Sequence, residues 1–216
     1  MSGDKHQWFL LEALTGDYLR EYRELDLLIE EKLVEQTAKL HEDFKQHQAE
    51  SAAAPPTTPA EDYGYDPEDW FFNEYRKLEQ RYPQHVRHSM FVSLCAFLEQ
   101  HLVSLCRHYE KSQALNLDDV NGKGIHKCRL YLEKVVGVAF PTTSPHWQLI
   151  LKYNVLRNHL VHAGPTIRRN DDKTPKTLNQ LPGVKADHHI VVDETFYKSA
   201  LATVTAFIDE LFTVLK

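Results

Sequence analysis

Residues 144–165 read SPHWQLILKYNVLRNHLVHAGP, and this stretch predicts the fold class most directly. Ser144 suits the cap of a helix and Pro145 its first helical position, whereas Gly164 and Pro165 end it. The helix between them would be about 28 Å long at ~1.5 Å per residue. Apolar residues recur within it at helical spacing and predict its buried face, namely Leu149, Tyr153, Leu156, Leu160 and Ala163.

The C-terminal end of this predicted helix carries a group of polar side chains. Asn158 and His162 lie roughly opposite the core face, in line with Leu151 and Val155, while Arg157 lies beside that face. The helix therefore has two apolar faces. The second face can pack another helix of the same bundle or the same helix of a second subunit, and the latter contact brings two copies of the polar group together.

Charge is unevenly distributed along the chain. The formal net charge of −6 argues against a protein that holds nucleic acid by bulk electrostatics. Residues 1–50 carry 12 acidic and 6 basic side chains, whereas residues 152–176 carry 6 basic side chains and 2 acidic ones. An anionic ligand is therefore expected at 152–176, the segment that contains the polar group.

The rest of the chain is predicted to be mostly helical. Apolar periodicity predicts a long acidic helix over 5–48, with a break or restart at 15–17, and the most apolar helix over about 83–112. Further helices are predicted over 125–136 and from 194 onward, and a small hairpin from 184–186 and 189–192. The polar, proline-punctuated segment between Thr166 and Ala186 carries no predicted helix. The predicted organisation is an acidic N-terminal helical extension (1–50), a linker (51–66) with Asp66 capping a helix that starts at Pro67, and a helical domain (67–216).

The cysteines and the hydropathy of the chain argue against several classes of protein. Cys95, Cys106 and Cys128 form no Cys-x-x-Cys pair, so reduced thiols are expected rather than a disulfide framework or a zinc site. We expect no apolar run approaching the roughly 18 residues of a membrane span, and no signal peptide. A cytoplasmic protein without a membrane partner is predicted.

One carboxylate in the most apolar helix requires an explanation. Glu99 shares a helical row with Cys95, Leu102 and Cys106. Because burying an unpaired carboxylate is costly, Glu99 should either lie at the edge of the core or have a cationic partner.

Four segments together resemble the HEPN superfamily. The likeness covers roughly 67–216 and rests on the sequence 97–102 in the apolar helix, 144–147 opening the next long helix, 156–162 closing it, and 181–184 before the last helix. The Arg-x4-His element from Arg157 to His162, with polar Asn158 after the arginine, matches the signature of the superfamily.

This resemblance implies an all-α, HEPN-like helical bundle that dimerises so that two signatures line one composite cleft. It also implies a metal-independent endoribonuclease, of the toxin or antiviral-defence type, whose products are a 2′,3′-cyclic phosphate and a 5′-hydroxyl. Arg157, His162 and Asn158 would be catalytic, and Glu99 would support them by pairing with Arg157. We expect RNA to contact Lys152, His159, Arg168 and Arg169, no cofactor or metal to take part, and an antitoxin or regulator protein to be a further partner.

The residue chemistry agrees with that expectation but leaves alternatives open. Histidine can move protons near neutral pH, and arginine can hold a phosphate. A non-catalytic HEPN module that binds RNA, a nucleotide or a protein partner would use the same residues. A metal hydrolase built on His159 and His162, or on His188 and His189, is a third hypothesis, weakened by the absence of a matching acidic set.

Overall fold

The computed structural model describes residues 2–53, 67–171 and 173–215, and this part of the chain is mostly helical. A small antiparallel sheet, β1 paired with β2, precedes the last helix. Its α-helices and strands, in chain order, are α1 (Ser2–Ala53), α2 (Pro67–Arg76), α3 (Tyr82–Glu110), α4 (Gly124–Leu130), α5 (Pro145–Ala163), α6 (Lys173–Leu178), β1 (Val184–Ala186), β2 (Ile190–Val192) and α7 (Phe196–Leu215). π-Helical turns continue α2 over Lys77–Arg81 and α4 over Tyr131–Val136.

The chain divides into two compact units. The first comprises Met1–Arg23 and His88–Lys216, and the second comprises Glu24–Arg87. Helices α1 and α3 each contribute residues to both units. The sequence-based division instead used the linker 51–66, and residues 54–66 of that linker, including the expected cap Asp66, lie outside the described residues.

The core of the first unit is built from α3, α5 and α7, together with the hairpin and α4. Leu94, Leu102 and Leu105 of α3 are fully buried, because they recur on one face of the helix at intervals of three and eight residues. Trp147 of α5 packs against Phe207 of α7 with 5.2 Å between the ring centroids. These contacts hold α5, and thus the polar residues at its end, against α3 and α7.

The second unit is held by contacts between α1, α2 and the start of α3. Phe44 of α1 stacks on Phe71 of α2 with 3.9 Å between ring centroids. Arg87 donates two hydrogen bonds of 2.7 Å to the carboxylate of Glu30. This bidentate pair fixes the relative position of α1 and α3 within the unit.

The predicted break near the start of α1 was wrong, because α1 continues through Gly16 without interruption. Tertiary contacts hold this part of the helix in the first unit. The Thr15 hydroxyl lies 3.2 Å from Nδ1 of His101, Leu19 is buried, and the Tyr22 hydroxyl bonds with the Ser93 hydroxyl at 2.8 Å. Residues 15–22 therefore pack on α3 as part of the first unit.

The predicted caps of α5 were correct, but its predicted buried face was only partly right. Ser144 Oγ accepts the backbone N–H of His146, and α5 ends at Ala163 before Gly164. Tyr153 and Leu156 are buried as predicted, whereas Leu149 and Leu160 are only half-buried and Ala163 is exposed. Trp147 and Ile150 are buried in their place, and Trp147 packs against Phe207 of α7.

The predicted hairpin is present, and the segment before it contains an unpredicted helix. Helix α6 begins after Asp171, whose carboxylate accepts the backbone N–H of Thr174, and ends at buried Leu178. The Asn179 side chain both accepts from the N–H of Ala186 and donates to its carbonyl, each at 2.8 Å. A bridge between Thr166 and His189, with the N–H of Ile190 donating to Pro165, adds the chain after α5 to the other edge of β2.

The turn before β1 requires glycine. Gly183 has φ +76°, and a Cβ at this position would lie 2.7 Å from Oδ1 of Asp193. That same Asp193 oxygen accepts the N–H of Phe196 at the start of α7. The hairpin and the cap of the last helix are thus fitted closely together.

One helical run meets the length and composition of a membrane span, which the sequence analysis did not expect. Within Glu68–Glu110, an 18-residue window has a mean hydropathy of 1.4, and 44% of it is buried inside the described structure. The run includes the core residues Leu94, Leu98 and Leu102. Core helices of folded domains meet the same criterion.

Candidate active site

The polar group at the end of α5 is anchored to α3 through Arg157. Its Nη2 lies 3.6 Å from Oε2 of Glu99, and its Nη1 donates a 3.0 Å hydrogen bond to Oδ1 of Asn158. The expected pairing of Glu99 with Arg157 is therefore present. The Arg157 and Glu99 side chains keep 26% and 31% of their surface exposed, so solvent still reaches the pair.

Asn158 is oriented by the arginine. Because its carbonyl oxygen accepts from Arg157, it fixes the plane of the guanidinium beside the helix. A guanidinium has five N–H donors in all, and this bond uses one of them. The arrangement leaves donors of Arg157 available to an anion.

A narrow pocket adjoins the ion pair between α3, α4 and α5. It has a volume of about 20 Å³ and is lined on its polar side by Glu99, Arg157 and Asn154. This volume suits one water molecule and is too small for a nucleobase. Gly124, with φ +54°, lies at its rim, where a Cβ would come within 3.4 Å of Oε1 of Glu99.

Cys95 lines the same pocket but is not a reactive thiol. Burial raises its pKa to about 12, the Glu99 carboxylate adds to this effect, and the Arg157 guanidinium opposes it. The thiol is therefore protonated at neutral pH, and a thiolate nucleophile at this position is excluded.

His162 lies on the exposed face of α5, five residues after Arg157. The imidazole is exposed and has no hydrogen-bond partner within 2–53, 67–171 and 173–215. The same face carries Val155, which is 39% exposed, and half-buried Leu151. Five residues of helix separate Arg157 from His162 by about 7.5 Å along the axis and by roughly 140° around it, so one copy of α5 presents the two side chains on different sides.

The residues predicted to contact RNA lie around this end of α5 in different environments. Nε2 of His159 donates to the carbonyl of Thr166 at 3.1 Å, so this ring holds the turn after the helix. Arg168 and Arg169 are exposed beyond that turn, while Lys152 is half-buried two turns earlier on α5. The turn thus brings two exposed cations near the same helix end as His162.

Comparison with known proteins adds no relative. No family model matches this chain. No curated protein and no solved structure matches it either. The geometry of the site and its sequence motifs are therefore the observations that bear on its function.

The described part of the chain contains no set of side chains that could bind a metal ion. Those residues contain no group of three or more His, Cys, Asp or Glu side chains placed to hold a metal ion. His159 and His188–His189 instead join the turn and hairpin contacts, since His159 bonds Thr166 and the Thr166 hydroxyl lies 3.4 Å from Nδ1 of His189.

A second polar cluster at the start of α5 was missed by sequence reasoning. The carboxylate of Glu210 on α7 accepts from the Ser144 hydroxyl at 2.5 Å and contacts Nδ1 of His146 at 2.7 Å. Burial raises the pKa of Glu210, but these two hydrogen bonds outweigh it and leave the pKa below its usual value. The serine faces the carboxylate rather than the imidazole, so the cluster is not a nucleophile-base pair and serves to join α5 to α7.

Proposed function

We propose that this protein is a HEPN-like, metal-independent endoribonuclease. The proposal is carried by one observation: Glu99 and Asn158 hold Arg157 at the end of α5, on the helix whose exposed face also presents His162. A held cation and an unengaged imidazole at one helix end are the two kinds of group that phosphodiester cleavage through the 2′-hydroxyl requires.

The reaction moves two protons and exchanges one bond to phosphorus. The ribose 2′-oxygen attacks the phosphorus while an imidazole takes the hydroxyl proton, and the bond to the 5′-oxygen breaks. A protonated imidazole gives a proton to that leaving oxygen. The products are a 2′,3′-cyclic phosphate and a 5′-hydroxyl, and Arg157 stabilises the negative charge on the non-bridging oxygens.

A second copy of the chain completes this site. One His162 cannot act at once as base and acid, whereas two copies facing each other across α5 supply both groups. The exposed Val155 and half-buried Leu151 beside His162 give that contact an apolar component. The proposed unit of activity is therefore a homodimer with two copies of Arg157, Asn158 and His162 in one cleft.

Cleavage of RNA in EDTA tests the proposal. Wild-type protein should cut a single-stranded RNA and leave a cyclic phosphate that mass spectrometry detects, while 2′-deoxy substitution at the cut position should block the reaction. His162→Ala and Arg157→Ala should each lower the rate by about 10²–10⁴-fold. His126→Ala, a change at an exposed histidine of α4, is the matched control and should cleave normally.

Two results would overturn the assignment. Undiminished cleavage by His162→Ala or Arg157→Ala would remove these residues from the site. Activity that disappears only when EDTA is added would instead favour metal-assisted hydrolysis.

A toxin or antiviral role, with an antitoxin or regulator as partner, predicts that expression of wild type but not of His162→Ala arrests growth.

A non-catalytic module is the second candidate, and the pairing of Arg157 favours it. An arginine already joined to Glu99 and Asn158 also fits a structural ion pair beside a surface that binds RNA, a nucleotide or a protein. This candidate predicts that wild type binds RNA without cleaving it and that Arg157→Ala weakens binding. Cleavage by wild type would reject it.

A further inference from the structure

The chain after α5 forms a third strand-like edge of the small sheet, and this gives the sheet an ordered outer face. Thr166 pairs with His189, and the N–H groups of Ile167 and Ile190 donate to His188 and Pro165. The order across the sheet is therefore the 165–167 segment, β2 and β1.

Burial alternates along β1 and β2, and in the third segment Ile167 is buried between exposed Thr166 and Arg168. Ile167, Ile190 and Val192 are buried, as are Val184 and Ala186 of β1, so they define the inner face. The side chains between them belong to the outer face and are exposed, in agreement with a period of two. They are Thr166, Arg168, Lys185, Asp187, His189 and Val191.

This outer face places a ring between two cations. His189 and Val191 come from the central strand, and Val191 pairs with Lys185 while being 44% exposed. Arg168 and Lys185 come from the two outer strands, and the register sets them four residues apart along β2, so they lie on a diagonal through His189 and are roughly 16 Å apart. Within the described residues neither cation has an ion-pair partner, and the Thr166 hydroxyl supports the His189 ring from the neighbouring strand at 3.4 Å.

Charge favours a polyanion on this face. Residues 165–192 contain five Lys and Arg against three Asp, in a chain whose formal net charge is −6. One of those acids, Asp171, caps α6 through the N–H groups of Lys173 and Thr174. Asp187, at the hairpin turn, is the acidic side chain on the outer face itself. It lies opposite Arg168 when the register of Thr166 and His189 is continued, and it can accept from the amino group of a base.

We propose that five side chains of this outer face, Thr166, Arg168, Lys185, His189 and Val191, form a docking platform for single-stranded RNA that leads to His162. The proposal rests on the proposed function and extends it by naming the form of the substrate. His189 stacks on an unpaired base, while Arg168 and Lys185 neutralise phosphates on either side. A duplex is disfavoured because its bases are already stacked and cannot reach a ring on a flat surface.

His159 joins the platform to the end of α5 that carries the candidate active site. His159, three residues before His162 on α5, donates to the carbonyl of Thr166, which pairs with His189. The platform therefore begins one short turn beyond the helix end that carries His162. An RNA strand on the platform can continue across the end of α5 without leaving the surface.

RNA affinity measured by fluorescence anisotropy tests the platform. The probe is a 5′-fluorescein single-stranded RNA of about twelve nucleotides, and the protein is full-length His162→Ala, in which cleavage should be suppressed. Arg168→Ala/Lys185→Ala should bind more weakly, and the slope of log affinity against log salt should fall by about 1.4, or about 0.7 per lost phosphate contact. Lys39→Ala/Lys45→Ala removes the same charge from exposed positions of α1 and should leave the slope unchanged.

Stacking is tested separately at the central strand. His189→Ala should lower the affinity roughly tenfold, whereas His189→Phe, which keeps a ring, should retain most of it. All of these side chains are exposed, so thermal unfolding midpoints should match that of the parent protein. Duplex RNA of the same sequence should bind several-fold more weakly.

Several outcomes would overturn the platform. They are an unchanged salt slope in Arg168→Ala/Lys185→Ala, equal losses in the α1 control, equal weakening by His189→Phe and His189→Ala, or duplex binding as tight as that of the single strand. Unaffected RNA binding in every variant would assign the face to a protein partner instead. The proposed function is judged apart from this, because wild type can fail to cleave while these binding differences persist, or cleave while they are absent.

Discussion

Acid should destabilise the first unit through His101, which is buried where α1, α3 and α7 meet. Only 6% of this residue is exposed, Nδ1 contacts the Thr15 hydroxyl, and the ring lies against Phe97 and Phe212. Nε2 is buried without a hydrogen-bond partner in the described part of the chain. Burial lowers the pKa of His101 from 6.5 to about 4.

The magnitude follows from the difference in proton binding between the folded and unfolded states. Below about pH 6.5 the unfolded chain protonates His101, whereas the folded chain resists this down to about pH 4. The free energy of unfolding therefore falls with decreasing pH in this interval, by about 1.4 kcal/mol per pH unit. Between pH 7.5 and pH 5 the expected contribution of His101 is about 2 kcal/mol.

Urea unfolding at pH 7.5 and pH 5 measures this contribution. Wild type should lose about 2 kcal/mol more between the two pH values than His101→Gln, in which the titrating ring is absent. His126→Gln removes an exposed histidine of α4 and should lose as much as wild type does. An equal loss in wild type and His101→Gln would refute the argument, because another group would then be responsible.

Three further predictions concern packing, backbone conformation and association. Leu102→Ala, at a fully buried position of α3, should lower the free energy of unfolding by about 2–5 kcal/mol in urea titrations, and a loss below 1 kcal/mol would contradict its place in the core. Gly183→Ala should cost about 1–3 kcal/mol by thermal unfolding, since φ is +76° and the new Cβ meets Asp193. Gly16→Ala, in α1 with no atom within 4 Å of the new Cβ, should instead stabilise the protein by up to about 1 kcal/mol. Val155→Glu should leave the free energy of unfolding nearly unchanged but shift the sedimentation coefficient from that of a dimer to that of a monomer. Val214→Glu, at a position equally exposed at 39%, should remain a dimer. If both variants sediment as dimers, the interface lies elsewhere.

Local signals predicted the boundaries of α5 and the strands of the hairpin. Caps act over a few residues, so Ser144-Pro145 and Gly164-Pro165 carried enough information to bound the helix. The buried face was harder to predict, because periodicity gives an angle around the helix and not the extent of the core along it. Ala163 has the right angle but is exposed as the last residue of α5, whereas Trp147 is buried and packs against Phe207.

Contacts between distant segments account for what the sequence did not predict. Thr15-Gly16-Asp17 would end an isolated helix, but the contact of Thr15 with His101 and the burial of Leu19 support the helix across it. Helix α6 has only one buried side chain, Leu178, which leaves no periodic pattern to detect. At the candidate site the apolar row of Glu99 predicted either an edge position or a cationic partner, and its pairing with Arg157 came from the family resemblance. The bond between Arg157 and Asn158 depends on rotamers that no spacing reveals.

The Asn179 side chain limits how a strand of another chain can pair with the small sheet. Its side-chain amide occupies both the N–H and the carbonyl of Ala186, so this part of the free edge of β1 is already satisfied. The edge of β2 opposite β1 is taken by the segment after α5. A passing strand therefore finds few unpaired backbone groups on which to extend the sheet, which protects this region from edge-to-edge aggregation. It also restricts any binding partner of this region to side-chain contacts across the face.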